Sequence, residues 1–149
     1  MEWTKDDYRI STDKEKINVD YVHNFLRQTY WAENIPLEVV RRSIEGSLCF
    51  GVYQDGKQIG FARVITDGAT FAYLADVFMD ERFRGRGLSK WLMEIIISHP
   101  QLQGLRRFLL ATRDAHGLYR QFGFQPLNFV DRWMQIHQPD VYREKGSSQ

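Results

Sequence analysis

The chain has 149 residues, of which 43% are apolar and 26% charged, and these values predict one globular domain spanning residues 1–149 with a sizeable core. A formal net charge of +1 excludes the overall basic field that attracts nucleic acid. The lone Cys49 excludes an intrachain disulfide framework, and the sequence has neither a leader pattern nor a span of ~20 apolar residues, so we expect a cytoplasmic protein with no membrane partner.

The N-terminal third is predicted to hold one strand and two helices. Residues 8–12 are typical of an edge strand, and the apolar residues of 19–31 recur at helical spacing. Pro36 stands at a helix start, and the apolar residues that follow it keep helical spacing up to Ile44, with Gly46 as the stop. We therefore expect a strand followed by two helices.

Three antiparallel strands follow these helices. The β-rich runs 48–53 and 58–64 are separated by Asp55-Gly56, a strong hairpin turn sequence. A second turn at Asp67-Gly68 leads into the strand 71–79. This meander is predicted to form the central sheet.

The C-terminal half returns to helices. Residues 88–98 have apolar side chains at three- and four-residue steps, and Pro100 ends this predicted helix. Residues 107–111 form a short apolar strand, and Asp114 is placed to cap a brief helix that stops at Gly123.

The last elements are a strand and a tail. Residues 129–136 are β-prone and predict a final strand, whereas residues 144–149 are a frayed polar tail. The resulting order, β-α-α-β-β-β-α-β-α-β, predicts a mixed α/β fold with a mostly antiparallel central sheet flanked by helices.

The turn between strand 71–79 and helix 88–98 contains two glycines, Gly85 and Gly87, within a basic run. Glycines at a strand-to-helix junction leave backbone N–H groups uncovered at the positive end of the helix dipole, which favours a phosphate. The same glycines also fit a plain turn that needs positive φ. The spacing matches neither the P-loop nor the dinucleotide-binding pattern.

The turn lies within the run from Arg84 to Ser89, and a second motif with a tyrosine, a glycine and a phenylalanine occurs at Tyr119, Gly123 and Phe124. With these two motifs and its element order, the chain resembles the GNAT superfamily of acyl-CoA-dependent N-acetyltransferases. The family's pyrophosphate motif, [Q/R]-x-x-G-x-[G/A], is matched from Arg84 to Ser89 except that serine holds the last position, and a second register from Arg82 to Gly87 matches in full. The run from Tyr119 to Phe124 is similar to the family's Y-x-x-x-G-F motif. The resemblance covers most of the chain.

The resemblance implies acetyl-CoA as the cofactor, held in a cleft between the splayed fourth and fifth strands. Its pantetheine arm would lie along the strand at Val77-Phe78-Met79, as peptides do when they add to an open sheet edge. Backbone N–H groups of the glycine turn would hold the diphosphate, with added attraction from basic side chains. The implied cofactor-binding residues are Val77, Phe78, Met79, Arg84, Gly85, Arg86, Gly87, Leu88, Ser89 and Lys90.

Acetyl transfer from a thioester to an amine needs a neutral amine, a donor to the oxyanion and a proton for the thiolate. Tyr119 matches the family's acid, although a core tyrosine explains the residue too. Asp76, charged inside an apolar strand, is the candidate base; a structural carboxylate, a water chain or His116 are the alternatives. An amide of residues 77–79 would bind the carbonyl oxygen, with no choice among the three.

The acceptor side is expected to involve the aromatic residues Tyr30, Trp31 and Trp133. The four histidines are dispersed, so we expect no metal site.

The predicted function is transfer of acetyl from acetyl-CoA to a primary amine of a small molecule or peptide, by direct attack in a ternary complex. A non-catalytic acyl-CoA sensor is the alternative. Nucleic acid is not expected as a partner, and an exposed C-terminal strand would allow a homodimer.

Overall fold

The computed structural model describes residues 1–143, and the expected tail at 144–149 lies outside the described residues. Its centre is a six-stranded sheet whose spatial order follows the chain order. The strands are β1 Glu2–Lys5, β2 Tyr8–Ser11, β3 Leu48–Gln54, β4 Lys57–Thr66, β5 Phe71–Met79 and β6 Arg107–Leu110. Neighbouring strands are antiparallel except β5 and β6, which run parallel. The predicted mixed α/β class with a mostly antiparallel sheet is confirmed.

Helices cover both faces of this sheet. They are α1 Val19–Leu26, α2 Leu37–Glu45, α3 Leu88–Ser98 and α4 His116–Arg120. Short 3₁₀ turns occur at Lys14–Lys16, Glu81–Phe83, Pro100–Leu102 and Val130–Arg132. Among residues 1–143, no helix has the length and apolar character needed to cross a membrane.

Two apolar cores result from the alternation of side chains across the sheet. On one face, Leu92 and Ile96 of α3 pack with Phe50 and Val64. On the other face, α1 and α2 pack against the alternate residues of the same strands, including Phe61 and Phe78. Since successive strand residues point to opposite faces, β3, β4 and β5 each contribute to both cores.

Helix α1 is shorter than predicted. Its periodic pattern continues to Trp31, but the helix ends at Leu26. The hydroxyl of Thr29 donates to the carbonyl of Leu26 at 2.7 Å and accepts from the N–H of Ala32 at 3.2 Å. These side-chain bonds fold the chain out of the helix, as threonine hydroxyls often do.

Two strand predictions differ from the structure. Strand β1 was not predicted; its pairing with β2 places Trp3 opposite Ile10. The predicted final strand over 129–136 was wrong: these residues form a 3₁₀ turn and an exposed extended segment without strand pairing. The residues are β-prone, but a strand also needs a partner edge, and this part of the chain pairs with none of the described strands.

Candidate active site

Strands β5 and β6 are paired over only half of β5. Residues 71–74 pair with 107–110, and beyond that point β6 has ended. Residues 75–79 remain bonded to β4 on their other side, where Met79 is opposite Gly60. The free edge of 75–79 forms one wall of an open cleft, so the predicted splay between these two strands is present, one strand later in the numbering because of β1.

A β-bulge lies at the point where the cleft opens. Phe78 pairs with Phe61 and Ala75 pairs with Arg63, which leaves two residues of β5 opposite Ala62 alone. One of the two, Asp76, has φ of 55°, in the left-handed region that aspartate tolerates better than most residues. The bulge bends β5 and re-aims the groups that follow it.

The Asp76 carboxylate is held by two side chains. Arg63 Nε donates to one oxygen at 2.8 Å and Trp31 Nε1 donates to the other at 2.9 Å. The side chains of Arg63 and Asp76 are only 15% and 10% exposed. A further guanidinium nitrogen of Arg63 donates to Ser47 Oγ at 3.0 Å. We call these four residues the Asp76 network; both oxygens of its carboxylate have a hydrogen-bond donor.

The glycine turn at the start of α3 is a candidate anion site, which we call the anion site. Gly85 and Gly87 both have φ of 78°, which only glycine adopts without strain. No hydrogen bond within residues 1–143 uses the N–H groups of 85–90; the first bonded one is that of Trp91, to the carbonyl of Gly87. Gly87 supplies no side-chain cap, and the first turn of α3 has no acidic residue. The residues present therefore fit a diphosphate.

The basic side chains of this turn point in different directions. Arg84 lines the cleft together with Ser89. Arg86 instead donates to the hydroxyl of Tyr8 at 2.9 Å and lies over the ring of Phe83 at 4.9 Å. Arg82 is bonded to Asp80 at 3.0 Å, which lowers the pKa of that carboxyl. Arg84, the first residue of the first motif register, is therefore the arginine placed to meet a ligand in the cleft.

The cleft holds two adjoining cavities. The first, beside the anion site, is lined by Phe25, Val77, Phe78, Met79, Arg84, Ser89, Leu118 and Tyr119, among others. The second, on the other side of the bulge, is lined by Ser43, Arg63, Tyr73, Asp76, Arg113, Asp114, Tyr119, His137 and Tyr142, among others. Five residues line both cavities: Tyr30, Trp31, Val77, Ala115 and Tyr119.

Tyr119 lies where the two cavities meet. Its side chain is buried, with 8% of the residue exposed, and burial raises the pKa of its hydroxyl above the ordinary value. Gly123, at φ of 95°, turns the chain so that the ring of Phe124 packs edge-on against Tyr119 at 6.0 Å. This contact explains the spacing of the Y-x-x-x-G-F motif, because the turn at the glycine places the phenylalanine ring against the tyrosine ring.

Tyr30 and Trp31 form an aromatic wall of the cleft. Their rings meet edge to face at 5.1 Å, and the guanidinium of Arg113 lies 3.5 Å from the ring centroid of Tyr30. With the bond from Trp31 to Asp76, the loop after α1 is connected to both β5 and the loop after β6.

Three other residues lie elsewhere than expected. Trp133 does not line either cavity among the described residues; it lies against Arg107 at 4.7 Å, near the paired ends of β5 and β6. His116 lines neither of these cavities; it lines a groove along β6 that Tyr119 also borders. Asp114 does not cap α4: the N-cap position is Ala115, whose N–H donates to the hydroxyl of Thr112 at 3.1 Å.

Several residues of the second cavity were not predicted, including Arg63, Tyr73, His137 and Tyr142. They come from separate elements, and only the sheet register brings them together. Arg63 could have been predicted from the sequence, because a charged residue between Ala62 and Val64 in an apolar strand needs a partner. Within residues 1–143, no group of three or more metal-ligating side chains is present.

Known proteins resemble this chain along most of its length. Residues 8–124 match the model of the acetyltransferase (GNAT) family. A crystal structure from Xanthomonas campestris pv. campestris, described as a candidate acetyltransferase of the GNAT family, is 52% identical, has a TM-score of 0.90, and covers 91% of this chain and 96% of that one. A curated protein of Gibberella zeae, named as a candidate acetyltransferase, is 32% identical over 140 residues, with 78% of each chain covered.

A more distant structure contains the cofactor. A candidate acetyltransferase from Clostridium acetobutylicum, crystallised with acetyl-CoA, is 16% identical with a TM-score of 0.64, and the alignment covers 92% of this chain and 96% of that one. At this identity the likeness concerns the fold alone.

Proposed function

The chain belongs to the GNAT acetyltransferase family, and on that premise we propose that it transfers the acetyl group of acetyl-CoA to a primary amine of a small molecule or peptide, by direct attack in a ternary complex. The observation that carries the proposal is the position of Tyr119, which lines both the cavity beside the anion site and the cavity beyond the bulge. A group at that junction can reach a thioester from one side and its acceptor from the other.

Backbone groups account for most of the cofactor binding in this proposal. The free N–H groups of residues 85–90 bind the diphosphate, and Arg84 adds charge attraction. The free edge of residues 75–79 pairs with the pantetheine amides as an added strand would. Acetyl-CoA, when bound, supplies a thioester whose carbonyl carbon accepts the amine and whose sulfur leaves.

Strand geometry narrows the choice of oxyanion donor. The N–H of Asp80, the residue after β5, donates to the carbonyl of Ile59 in β4 at 2.7 Å. Because successive residues of a strand alternate the direction of their N–H groups, the N–H of Phe78 also points to β4 and that of Met79 to the cleft. We assign the oxyanion to the N–H of Val77, which follows the bulge and lines both cavities, and the pantetheine contact to Met79.

Tyr119 is assigned as the acid. As the bond between the acetyl carbon and sulfur breaks, the phenol gives its proton to the thiolate and regains one from solvent. Its raised pKa keeps the hydroxyl protonated at neutral pH, and within residues 1–143 the hydroxyl has no hydrogen-bond partner that would compete for the proton.

Asp76 is assigned a positioning role, and a water molecule is assigned to take the proton from the amine. Arg63 Nε donates to one carboxylate oxygen of Asp76 and Trp31 Nε1 to the other, so both oxygens already serve structural contacts. The same contacts hold the bulge and the aromatic wall in place. His116 lines neither cavity and is assigned no part in this scheme.

A thiol-release assay tests the function. The purified protein is incubated with acetyl-CoA and a panel of amines, and free CoA is measured with a thiol reagent against a no-amine control. We expect release that depends on at least one amine. Saturable binding of acetyl-CoA by calorimetry, combined with no amine-dependent release from any acceptor, would favour the sensor alternative instead.

A further inference from the structure

The charged side chains that line the second cavity differ in their pairing. Among the described residues they are Arg63, Asp76, Arg113 and Asp114. Arg63 and Asp76 form the ion pair of the Asp76 network, so these two charges neutralise each other inside the protein. Arg113 and Asp114 make no salt bridge within residues 1–143. Arg113 is therefore the cation that this part of the cavity offers to a ligand.

Arg113 is positioned by stacking on an aromatic ring. It lies in the loop between β6 and α4, and its guanidinium is 3.5 Å from the ring centroid of Tyr30, in the loop after α1. Stacking uses the flat face of a guanidinium and leaves its N–H groups, which lie in the plane, able to bind a carboxylate through two parallel hydrogen bonds. Arg113 lines the second cavity and not the first, so it is placed to meet the acceptor rather than the cofactor.

Much of the remaining lining of the second cavity is aromatic or aliphatic. The side chains of this kind include Tyr30, Trp31, Ile35, Val39, Tyr73 and Tyr142. The cavity has a volume of about 810 Å³, which is within the range of sites that enclose small molecules. The cavity therefore has room for an apolar side chain beside the reacting amine.

The charge balance of the second cavity disfavours several classes of amine. A polyamine or a polycationic aminosugar carries several ammonium groups, but Asp114 is the one carboxylate of the described lining without a salt bridge. A nucleotide or a sugar phosphate brings at least two negative charges, and Arg113 alone would have to meet them. An amine with a single carboxylate fits better, because Arg113 balances the acid and the amine is neutral when it attacks.

We propose that the acceptor is a free amino acid with a large apolar side chain, whose carboxylate binds Arg113 while its amine faces Tyr119. This inference rests on the proposed function and narrows the acceptor within it. The neutral amine forms a bond to the acetyl carbon and gives a proton to water, the bond from that carbon to sulfur breaks, and the sulfur takes the proton of Tyr119. The carboxylate takes no part in these steps, so Arg113 determines specificity through binding.

Paired acceptors test the acid group. CoA release is measured with phenylalanine and leucine and with their C-terminal amides, which keep the amine and the side chain but lack the carboxylate. We expect kcat/KM to be about 30-fold higher for each acid than for its amide, in the range for a hydrogen bond to a charged group. If an amide, a polyamine or an aminosugar is acetylated as efficiently as the amino acids, the inference is wrong.

Arg113→Gln tests the residue that would make this contact. We expect kcat/KM for phenylalanine to fall about 30-fold, chiefly through a higher KM, with little effect on the amide. Arg132→Gln is the matched control, since that guanidinium also lies over a ring, 4.1 Å from that of Phe129, but outside both cavities. An equal loss for acid and amide in Arg113→Gln would indicate damage to the Tyr30 wall and would refute the carboxylate contact.

A binding measurement separates this inference from the proposed function. Phenylalanine and leucine are titrated by calorimetry into the natural protein and both variants, each saturated with CoA, which has no acetyl group to transfer. We expect saturable binding, with a Kd about 30-fold higher in Arg113→Gln than in the other two proteins. If this pattern is found and no amine gives CoA release, the transfer function fails and the amino-acid site stands. If neither amino acid binds, or all three proteins have the same Kd, the inference is overturned even where some amine is acetylated.

Discussion

The indole N–H of Trp31 donates to the carboxylate of Asp76 across 2.9 Å, although the two residues are 45 positions apart in the sequence. One lies in the loop after α1 and the other in the bulge of β5. Through this bond, the wall of the second cavity and the strand edge that faces the first cavity are held in one arrangement. A change in either residue should therefore affect both substrates.

Asp76→Asn distinguishes a positioning residue from a base. The asparagine oxygen can still accept from Trp31, but the ion pair with Arg63 is lost, and we expect a stability loss of about 2 kcal/mol, since both groups are partly exposed. If Asp76 positions the site, kcat falls while the acidic limb of its pH profile keeps its position. Disappearance of that limb would identify Asp76 as the base. Asp114→Asn, a carboxylate of the same cavity that makes no salt bridge within residues 1–143, is the control.

Tyr119→Phe tests the acid. Loss of the hydroxyl is expected to lower kcat by about 100-fold, in the usual range for a proton donor, with the KM for acetyl-CoA nearly unchanged. The raised pKa of Tyr119 also predicts that kcat shows no alkaline loss from this group up to about pH 9. The control is Tyr53→Phe, which removes a buried hydroxyl that has no hydrogen-bond partner among the described residues. Equal kcat values for the natural protein and Tyr119→Phe would refute the assignment.

Gly87→Ala tests the anion site. A Cβ there meets no atom within 4 Å, so the cost comes from the φ of 78° alone, about 1 kcal/mol of stability. We expect a KM for acetyl-CoA that rises about tenfold, as the amides at the start of α3 move from their positions. Gly104→Ala is a matched control, with φ of 71° and equally open space, but at the loop before β6. An equal change of KM in both variants would mean that the effect is strain rather than anion binding.

His99 predicts a pH dependence of stability. It is 3% exposed, and its Nδ1 accepts from the N–H of Gln101 at 3.1 Å, which requires an unprotonated ring nitrogen. Burial, with a smaller effect of the N-terminal ammonium, lowers the pKa of His99. The unfolded chain therefore binds this proton at a higher pH, so the contribution to stability is complete above about pH 6.5 and is lost as the pH falls below it.

The measurement for His99 is the free energy of unfolding by urea between pH 5 and 8. His99→Asn, which keeps an acceptor but does not titrate in this range, should reduce the slope below pH 6.5. His116→Gln, which changes an exposed histidine, should leave the slope as it is. A natural protein whose stability is constant across this range would contradict the prediction.

Much of the fold followed from local patterns. Helix α3 and strand β5 occupy the predicted ranges. Glycines lie near their ends, and the residues between are β-prone in β5 and have helical periodicity in α3, so the prediction needed only local patterns. The predicted final strand was wrong, because a strand forms only when it pairs with the edge of another strand. The composition of a segment does not indicate whether it will meet such an edge. Helix α1 ended early for a local reason that the periodicity of its apolar residues does not show, the bonds made by the Thr29 hydroxyl.

The candidate site also contains residues that the sequence predicts and residues that it does not. The glycine turn and Tyr119 could be proposed from the sequence, because each motif is continuous in the chain and its glycine has a positive φ. Arg63 and Tyr142 were not found, since they meet Asp76 or its cavity only after the sheet and the C-terminal segment have folded. Asp76 was found from its unusual place in an apolar strand, but the Arg63 and Trp31 contacts that define its role came from the structure.

Because β6 ends at Leu110, residues 75–79 of β5 have no strand pairing on the side that faces the cleft. Acetyl-CoA, bound as proposed, would pair with this strand edge, so the ligand would add hydrogen bonds to the sheet as well as react. We therefore expect the unfolding temperature to rise with the logarithm of acetyl-CoA concentration above its dissociation constant. Amide hydrogens facing the cleft should exchange faster than those bonded to β4 until the ligand is added. The cellular supply of acetyl-CoA would then influence how long each molecule survives, apart from how fast it turns over.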